Sequence, residues 1–379
     1  MSVAVLGGGP ASASAAAVLA EGGADVTLFR PAHRGEKPCG GAVPGWFREQ
    51  LVPRVAARSV SVDAIRLENA AGSVLELDAG GLEIYRRGDL DPALVDRARE
   101  LGARVVESKG IRLETGEDAI SVVTDAGPQT FGLLVGGDGA RGLSHRTVGV
   151  SHAAESFGLG ASLDGDEGDV LVLSFPDAAD AYLWIFPRPG GVSVGVAYDS
   201  HRLSHGAARA VLGRFLDRHL DGGSRRFDAA NRYRYPIPLF SPSTRAAARH
   251  GVDQRILLVG DAVGVADPLT REGIRYAALS GAWAAECIVA GESGRYASTL
   301  TERLSSEMKR AGRAARLFFE DGLAQWMVPV CRVHPAIRRV LSDLLSCRQP
   351  YTSLRRRLLR AAVGIPGTNP AKLHASMRA

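Results

Sequence analysis

Short apolar runs that stop at glycine recur along the chain. Val3-Ala4-Val5-Leu6 ends in Gly7-Gly8-Gly9-Pro10-Ala11-Ser12, and the small residues Ala13 to Ala20 continue as a helix. A strand, a tight glycine turn and a helix form the dinucleotide fingerprint, here with Ser12 in place of the third glycine. Asp25 to Phe29 reads as the second strand of that unit. Arg87-Gly88-Asp89-Leu90-Asp91 starts a helix running to about Gly102, and short alternating strands follow from Ala103 to Phe131. Leu133-Leu134-Val135 then ends in Gly136-Gly137-Asp138-Gly139, a carboxylate and turn at a strand terminus. From Ser156 to Tyr198 the pattern changes to β alternation with glycine turns, a helix spans about Ser204 to Leu220, and Arg232 to Phe240, with Pro236 and Pro238, reads as an edge strand.

The last of these runs changes the picture most. Leu257-Leu258-Val259 leads into Gly260-Asp261-Ala262-Val263-Gly264, and the segment continues through Asp267-Pro268 to Arg271-Glu272-Gly273-Ile274. An apolar run of this kind predicts a buried parallel strand that delivers a carboxylate, a flexible turn and a helix start to one point. Gly7 and Gly9 would let the backbone approach a pyrophosphate, and Asp261 could accept hydrogen bonds from ribityl hydroxyls. A nicotinamide site does not require this second piece, whereas a long flavin dinucleotide does. The ribose-binding acid that normally closes the second strand is replaced by Arg30. An arginine there could hold a 2′-phosphate, stack on adenine or stand in solvent, and the last two agree better with Asp261.

The 379 residues, 45% hydrophobic and 23% charged, are enough for a large core in two interleaved lobes. No apolar run approaches the roughly 20 residues needed to cross a bilayer. The Ala-rich start lacks a basic n-region, and its glycines fit the fingerprint better than a signal peptide. Cys39, Cys287, Cys331 and Cys347 show neither paired nor metal-ligand spacing, so a cytoplasmic setting and no metal site are expected. Charge is uneven: from Arg332 to Ala379 there are ten Lys/Arg against one acid, Asp343. Within that tail Ile337, Val340, Leu341, Leu344 and Leu345 recur at helical spacing with Arg338 and Arg339 opposite, and Leu354, Leu358 and Ala362 repeat the pattern. A pair of surface helices closing over the core is the first reading. Contact with an anionic membrane surface is the second, and nucleic acid is not expected, since Tyr351 is the only aromatic in the run.

Two clusters can carry chemistry. One is Lys37-Pro38-Cys39-Gly40-Gly41-Ala42, in the loop after the second strand. The other is Tyr182-Leu183-Trp184-Ile185-Phe186-Pro187-Arg188, where Tyr182, Trp184 and Phe186 alternate and share one face. Such a face is ordinarily core packing. On a lobe expected to cover a flavin, an apolar substrate wall is as well supported. Cys39 has the ordinary reading of a small buried residue in a glycine turn.

These residues together resemble the geranylgeranyl reductases. Gly7 to Ala17, Lys37-Pro38-Cys39-Gly40-Gly41, Arg87 with Leu90-Asp91, Gly137-Asp138-Gly139, Tyr182-x-Trp184-x-Phe186-Pro187, and Gly260-Asp261-Ala262 through Glu272-Gly273-Ile274 occur in that family's order, over about Val3 to Gly291. The chain departs from the pattern at Ser12, Arg30, Ala42, Gly142, Arg188 and Arg271, the last in a turn expected close to the flavin ring. The resemblance implies the aromatic-hydroxylase type of flavoprotein, with FAD used to saturate isoprenoid double bonds. Cofactor binding is then expected of Gly7, Gly9, Pro10, Ala11, Ser12, Arg30, Lys37, Gly40, Gly41, Arg87, Asp138, Gly260, Asp261, Gly264, Gly273 and Ile274, and catalysis of Cys39, Tyr182, Trp184 and Phe186.

The expected fold is α/β: a Rossmann-like FAD-binding domain (1–60, 85–150 and 250–295), an inserted β-sheet substrate domain (61–84 and 151–249) and a C-terminal basic helical segment (296–379). The expected function is hydride transfer from reduced flavin to a carbon–carbon double bond of an apolar or lipid substrate. NAD(P)H and ferredoxin are both admissible as reductant. The cytoplasm, with peripheral contact at the inner face of a membrane, is the expected location. A flavin-dependent monooxygenase or halogenase is the main rival, and a non-catalytic flavin- or lipid-binding protein is a third reading.

Overall fold

Continuous apolar runs form a parallel sheet and alternating ones an antiparallel sheet. The computed structural model describes residues 1–32, 36–47, 55–116, 118–150, 156–165, 168–177, 181–249 and 255–364. Its strands are β1 (Ser2–Leu6), β2 (Asp25–Pro31), β3 (Ala42–Pro44), β4 (Ser59–Asn69), β5 (Val74–Tyr85), β6 (Arg104–Ser108), β7 (Arg112–Thr115), β8 (Ile120–Thr124), β9 (Gly127–Phe131), β10 (Leu133–Gly136), β11 (Ser156–Asp164), β12 (Val170–Phe175), β13 (Ala181–Arg188), β14 (Gly191–Asp199), β15 (Tyr233–Ile237) and β16 (Ile256–Leu258). The helices are α1 (Pro10–Glu21), α2 (Arg87–Glu100), α3 (Ser144–Thr147), α4 (His205–His219), α5 (Gly223–Ala229), α6 (Pro242–Arg249), α7 (Ile274–Val289), α8 (Tyr296–Ala315), α9 (Leu323–Val333), α10 (Pro335–Leu345) and α11 (Tyr351–Ala362).

The parallel sheet runs β16-β10-β1-β2-β6. Val3, Ala4, Val5, Leu28 and Leu134 are fully buried in it, as expected of parallel strands covered on both faces. A β7-β8-β9 meander lies between the fifth and second of its strands in sequence. The larger sheet has the order β15-β11-β14-β13-β12-β4-β5-β3 and is antiparallel except where β12 meets β4. β15 sits on its edge, where a proline such as Pro236 is tolerated. β3, within the first stretch expected for the nucleotide-binding domain, instead pairs with β5 of the larger sheet. The loop carrying Cys39 therefore leaves one sheet at β2 and enters the other at β3.

The C-terminal helices close over the larger sheet. Ala324, Val328 and Cys331 of α9 are buried in a cluster with Ile65, Leu67, Leu75 and Leu77, and Ile337, Leu341 and Leu345 of α10 pack against it. Ser342 of α10 donates to the Asp78 carbonyl at 2.6 Å. Asp343 is buried and accepts from Arg357 of α11. The apolar spacing read along α10 thus turns inward, whereas on α11 Leu354 and Leu358 are half-buried and Ala362 is exposed. Residues 365–379 of the basic tail lie outside the described residues.

α1 is held unusually close to its neighbours. A β-carbon on Gly281 of α7 would lie 2.0 Å from the Ala11 carbonyl oxygen, and one on Gly137 would lie 3.0 Å from Ser12. The third fingerprint glycine normally gives this helix-to-strand clearance. Here Gly137 and Gly281 provide it from the other side, so Ser12 is accommodated, fully buried, with its hydroxyl on the Gly9 carbonyl at 3.0 Å.

Replacing a helical glycine with alanine ordinarily stabilises by about 1 kcal/mol. Gly312→Ala in α8, which meets nothing within 4 Å, should raise the unfolding midpoint accordingly. Gly281→Ala should lower it, because overpacking against backbone costs about 1–3 kcal/mol. Thermal unfolding of the two variants checks the pair of opposite signs.

Candidate functional site

The turns after β1, β2 and β16 converge, at the carboxyl ends of parallel strands where open α/β sheets take ligands. With β13 and β15 they enclose a cavity of about 130 Å³. Its lining includes the polar side chains of Lys37, Arg87, Asp261 and Arg271, Pro10 at the start of α1, and Gly273 and Ile274 at the start of α7. Tyr182, Trp184 and Phe186 form an aromatic wall, and Cys39 and Gly40 lie among the lining residues.

The start of α1 has no capping side chain and no acid in its first turn. Its positive dipole end and free first-turn N–H groups suit a pyrophosphate. Asp261, held on a short helical turn after β16, pairs with Lys37 at 2.6 Å. This pair ties the Cys39 loop to the far end of the chain. Arg87, the first residue of α2, is buried and bound to Asp91 through two hydrogen bonds of 2.7 and 2.8 Å. Burial opposes its charge, but Asp91 and then Cys39 outweigh that and hold the guanidinium protonated above its ordinary range. Arg30 stands at the end of β2, its Nε 3.6 Å from Glu107 on β6.

The aromatic wall is fixed residue by residue. Trp184 donates from Nε1 to Ser193 Oγ at 3.2 Å, and Ser193 Oγ donates to the Cys39 carbonyl at 3.4 Å. Phe186 lies so close to Gly40 that a β-carbon there would be 2.6 Å from the ring. Tyr182 donates to the Thr270 carbonyl at 3.3 Å. The rings form a row with centroids 6.1 and 6.3 Å apart. The Gly41 N–H reaches Cys39 Sγ at 3.4 Å.

Arg271 adopts φ +60°, the conformation a glycine would take there. An L-residue in that region carries about 1 kcal/mol of strain. The side chain is held by its hydrogen bond to the Pro268 carbonyl at 2.6 Å and lies 5.5 Å from the Phe319 ring. The turn thus keeps its glycine shape while placing a cation on the cavity.

Some expected residues stand elsewhere. Asp138 is turned away to cap α3, accepting from Leu143 N–H at 2.5 Å, Ser144 N–H at 3.0 Å and the Ser144 hydroxyl. A β-carbon at Gly142 would lie 2.3 Å from that carboxyl, so glycine replaces serine there with a steric reason. The Gly264 carbonyl accepts from Thr244 Oγ1 at 2.8 Å, away from the cavity. Sequence reasoning also missed three residues. Glu36 accepts from Arg188 at 2.7 Å and from the Arg87 N–H at 2.9 Å, joining β13 to α2. Tyr233 and Tyr235 of β15 line the cavity, a placement their alternation could have signalled had the prolines not drawn attention to the edge.

The turn from Asp267 to Glu272 carries two acids, Asp267 buried and Glu272 paired with Arg275 at 3.4 Å. Asp267 Oδ1 accepts from Leu269 N–H at 2.7 Å, Thr270 N–H at 3.0 Å and the Tyr351 hydroxyl at 3.2 Å. Burial nevertheless pushes the Asp267 and Glu272 carboxyls above their usual range.

The fold is shared with solved structures of flavin-dependent proteins, and in sequence the chain resembles the geranylgeranyl reductases. It is 28% identical over 327 residues to the chloroplastic geranylgeranyl diphosphate reductase of Oryza sativa subsp. japonica, covering 77% of this chain and 67% of that enzyme. The chain therefore spans about two thirds of the rice enzyme's length. The menaquinone reductase of Mycobacterium tuberculosis is 28% identical over 387 residues, covering 91% of both chains. Among solved structures, a geranylgeranyl bacteriochlorophyll reductase-like protein from Thermoplasma acidophilum shares the fold with a TM-score of 0.72 at 18% identity, over 95% of this chain and 98% of its own. No family model matches the chain.

A carboxyl whose folded pKa exceeds its unfolded value of about 4 binds its proton more tightly when folded, so stability falls as pH rises through that window. Asp267→Asn keeps the acceptor oxygen and removes the charge. Its stability relative to wild type should grow as pH rises above about 4 in denaturant unfolding. A difference that does not change with pH would contradict a carboxyl whose charge is disfavoured by burial.

Proposed function

We propose that this protein is an FAD-dependent reductase that saturates a carbon–carbon double bond of an isoprenoid or other apolar lipid. The observation that carries the reading is one cavity wall of Tyr182, Trp184 and Phe186 facing Cys39 and the fingerprint helix start. An apolar chain and a dinucleotide would meet there.

The residues fit FAD. Gly7, Gly9, Pro10, Ala11 and Ser12 would take the pyrophosphate at the start of α1, and Arg30 would lie at the adenosine end. Lys37, Arg87, Gly260 and Asp261 would hold the ribityl chain, with Gly40, Gly41, Gly273 and Ile274 beside the ring. Asp138 and Gly264 would act through the turns they brace. When bound and reduced, FAD supplies a hydride.

The chain's own groups do the rest. Trp184, fixed through Ser193 to the Cys39 carbonyl, and Phe186, seated on Gly40, orient the alkene. The apolar wall excludes water, so that protonation occurs from the protein. Cys39 Sγ holds the proton given to the second alkene carbon. Arg87, permanently charged beside it, stabilises the thiolate that remains. One hydride and one proton balance the saturation. Electrons would enter from NAD(P)H or a ferredoxin, and a lipid substrate would bring the protein to the cytoplasmic face of a membrane as a peripheral enzyme.

The reading is tested with purified holoprotein. Cys39→Ala and Cys39→Ser should retain FAD and lose about 100-fold or more in alkene reduction, the usual contribution of a positioned acid. Unchanged turnover in both would remove Cys39 from the mechanism. Asp261→Ala should weaken FAD binding by about 1.5–3 kcal/mol, as expected for lost charge-assisted hydrogen bonds. Full flavin retention in that variant would contradict the ribityl assignment, with flavin content read from the visible spectrum.

A further inference from the structure

α9 is apolar on two faces. Ala324, Val328 and Cys331 are buried against the larger sheet. Leu323, Trp326 and Val333, at helical spacing on the other side, are 49%, 68% and 71% exposed. Just before it, a five-residue π turn at Arg316–Glu320 sends Phe319 inward and leaves Leu317 55% exposed. Apolar side chains scattered singly on a surface require no account, but a row that includes tryptophan and leucine marks an interaction site.

The charge around this row selects the partner. Arg313, Arg316, Arg332, Arg338 and Arg339 are all exposed near it. The acids on the connecting turn are Glu320 and Asp321, and Glu320 is paired with Arg202 at 3.1 Å. A tryptophan and leucine face rimmed with arginine is the pattern of a helix lying in a membrane interface, aromatic ring at headgroup depth and cations on anionic lipid. A protein partner would not require so one-sided a rim.

We infer that α9 and the π turn before it form the surface by which this protein docks on an anionic bilayer, with Leu317, Leu323, Trp326 and Val333 entering the acyl boundary. The row lies N-terminal to the basic helices singled out in the sequence, of which α10 turns its apolar residues to the core. On its inner side α9 packs on an apolar cluster against which Tyr182 and Phe186 of the cavity wall also pack. The docking itself does not rest on the lipid-reductase reading.

The test is sedimentation of the full chain with phosphatidylcholine vesicles, with and without phosphatidylglycerol, alongside tryptophan emission. Wild type should bind the phosphatidylglycerol vesicles with a blue shift, and binding should weaken with added salt. The double variant Leu323→Ser/Trp326→Ser should bind at least about tenfold more weakly, given the transfer energy of two such side chains. Arg338→Glu/Arg339→Glu should lose binding and its salt dependence. Circular dichroism and flavin content, unchanged in these surface variants, separate lost docking from lost folding. No binding by wild type, or undiminished binding by the Leu323/Trp326 variant, overturns the proposal. So does a wild-type dimer that this variant splits, since a second copy would then cover the face. Vesicle binding without any alkene reduction would keep the docking surface and sink the reductase reading.

Discussion

The contact on which the site depends is the close seating of the first turn of α1 between residues far away in sequence. Ala11 and Ser12 meet Gly137, which follows β10, and Gly281, inside α7, at distances that leave no room for a β-carbon. That clearance fixes the helix start against the ends of β1, β10 and β16. Pro10 at that helix start and Asp261, 251 residues later in the sequence, thereby line one cavity.

A second constraint joins the two sheets. The loop that carries Cys39 lies between β2 and β3, and its second half is anchored at three residues: Glu36 to Arg188 and Arg87, Lys37 to Asp261, and the Cys39 carbonyl to Ser193, which also accepts from Trp184. These bonds tie the thiol-bearing segment to the aromatic strand and to α2. The C-terminal helices extend the bracing, since the Tyr351 hydroxyl reaches Asp267 in the turn that carries Arg271.

Much of this was legible in the sequence because buried parallel strands read as unbroken apolar runs and end in glycine. Val3–Leu6, Leu133–Gly136 and Leu257–Val259 announced the parallel sheet, and the alternation of Tyr182, Trp184 and Phe186 announced a shared face. Other features carry no local signal. A glycine within a helical pattern does not say what it approaches, so Gly281 was silent. Asp138 and Asp261 follow similar strands, yet one caps a helix and the other faces the cavity, a difference set by Ser144 and Lys37. The positive φ of Arg271 is invisible in a side chain that normally avoids it. The outer face of α9 could not be told from its inner face, because both are apolar and only tertiary packing separates them.

The central claim is that the aromatic wall and Cys39 serve reduction of an apolar alkene. It is tested most directly by incubating the photoreduced holoprotein, without oxygen, with prenyl lipids and prenylated quinones and following the product by mass spectrometry. The account predicts a product heavier by two hydrogens for each bond saturated, formed at a rate that falls sharply in Cys39→Ala. Unchanged lipid under these conditions, together with oxygen consumption stimulated by an aromatic substrate in air, would contradict it.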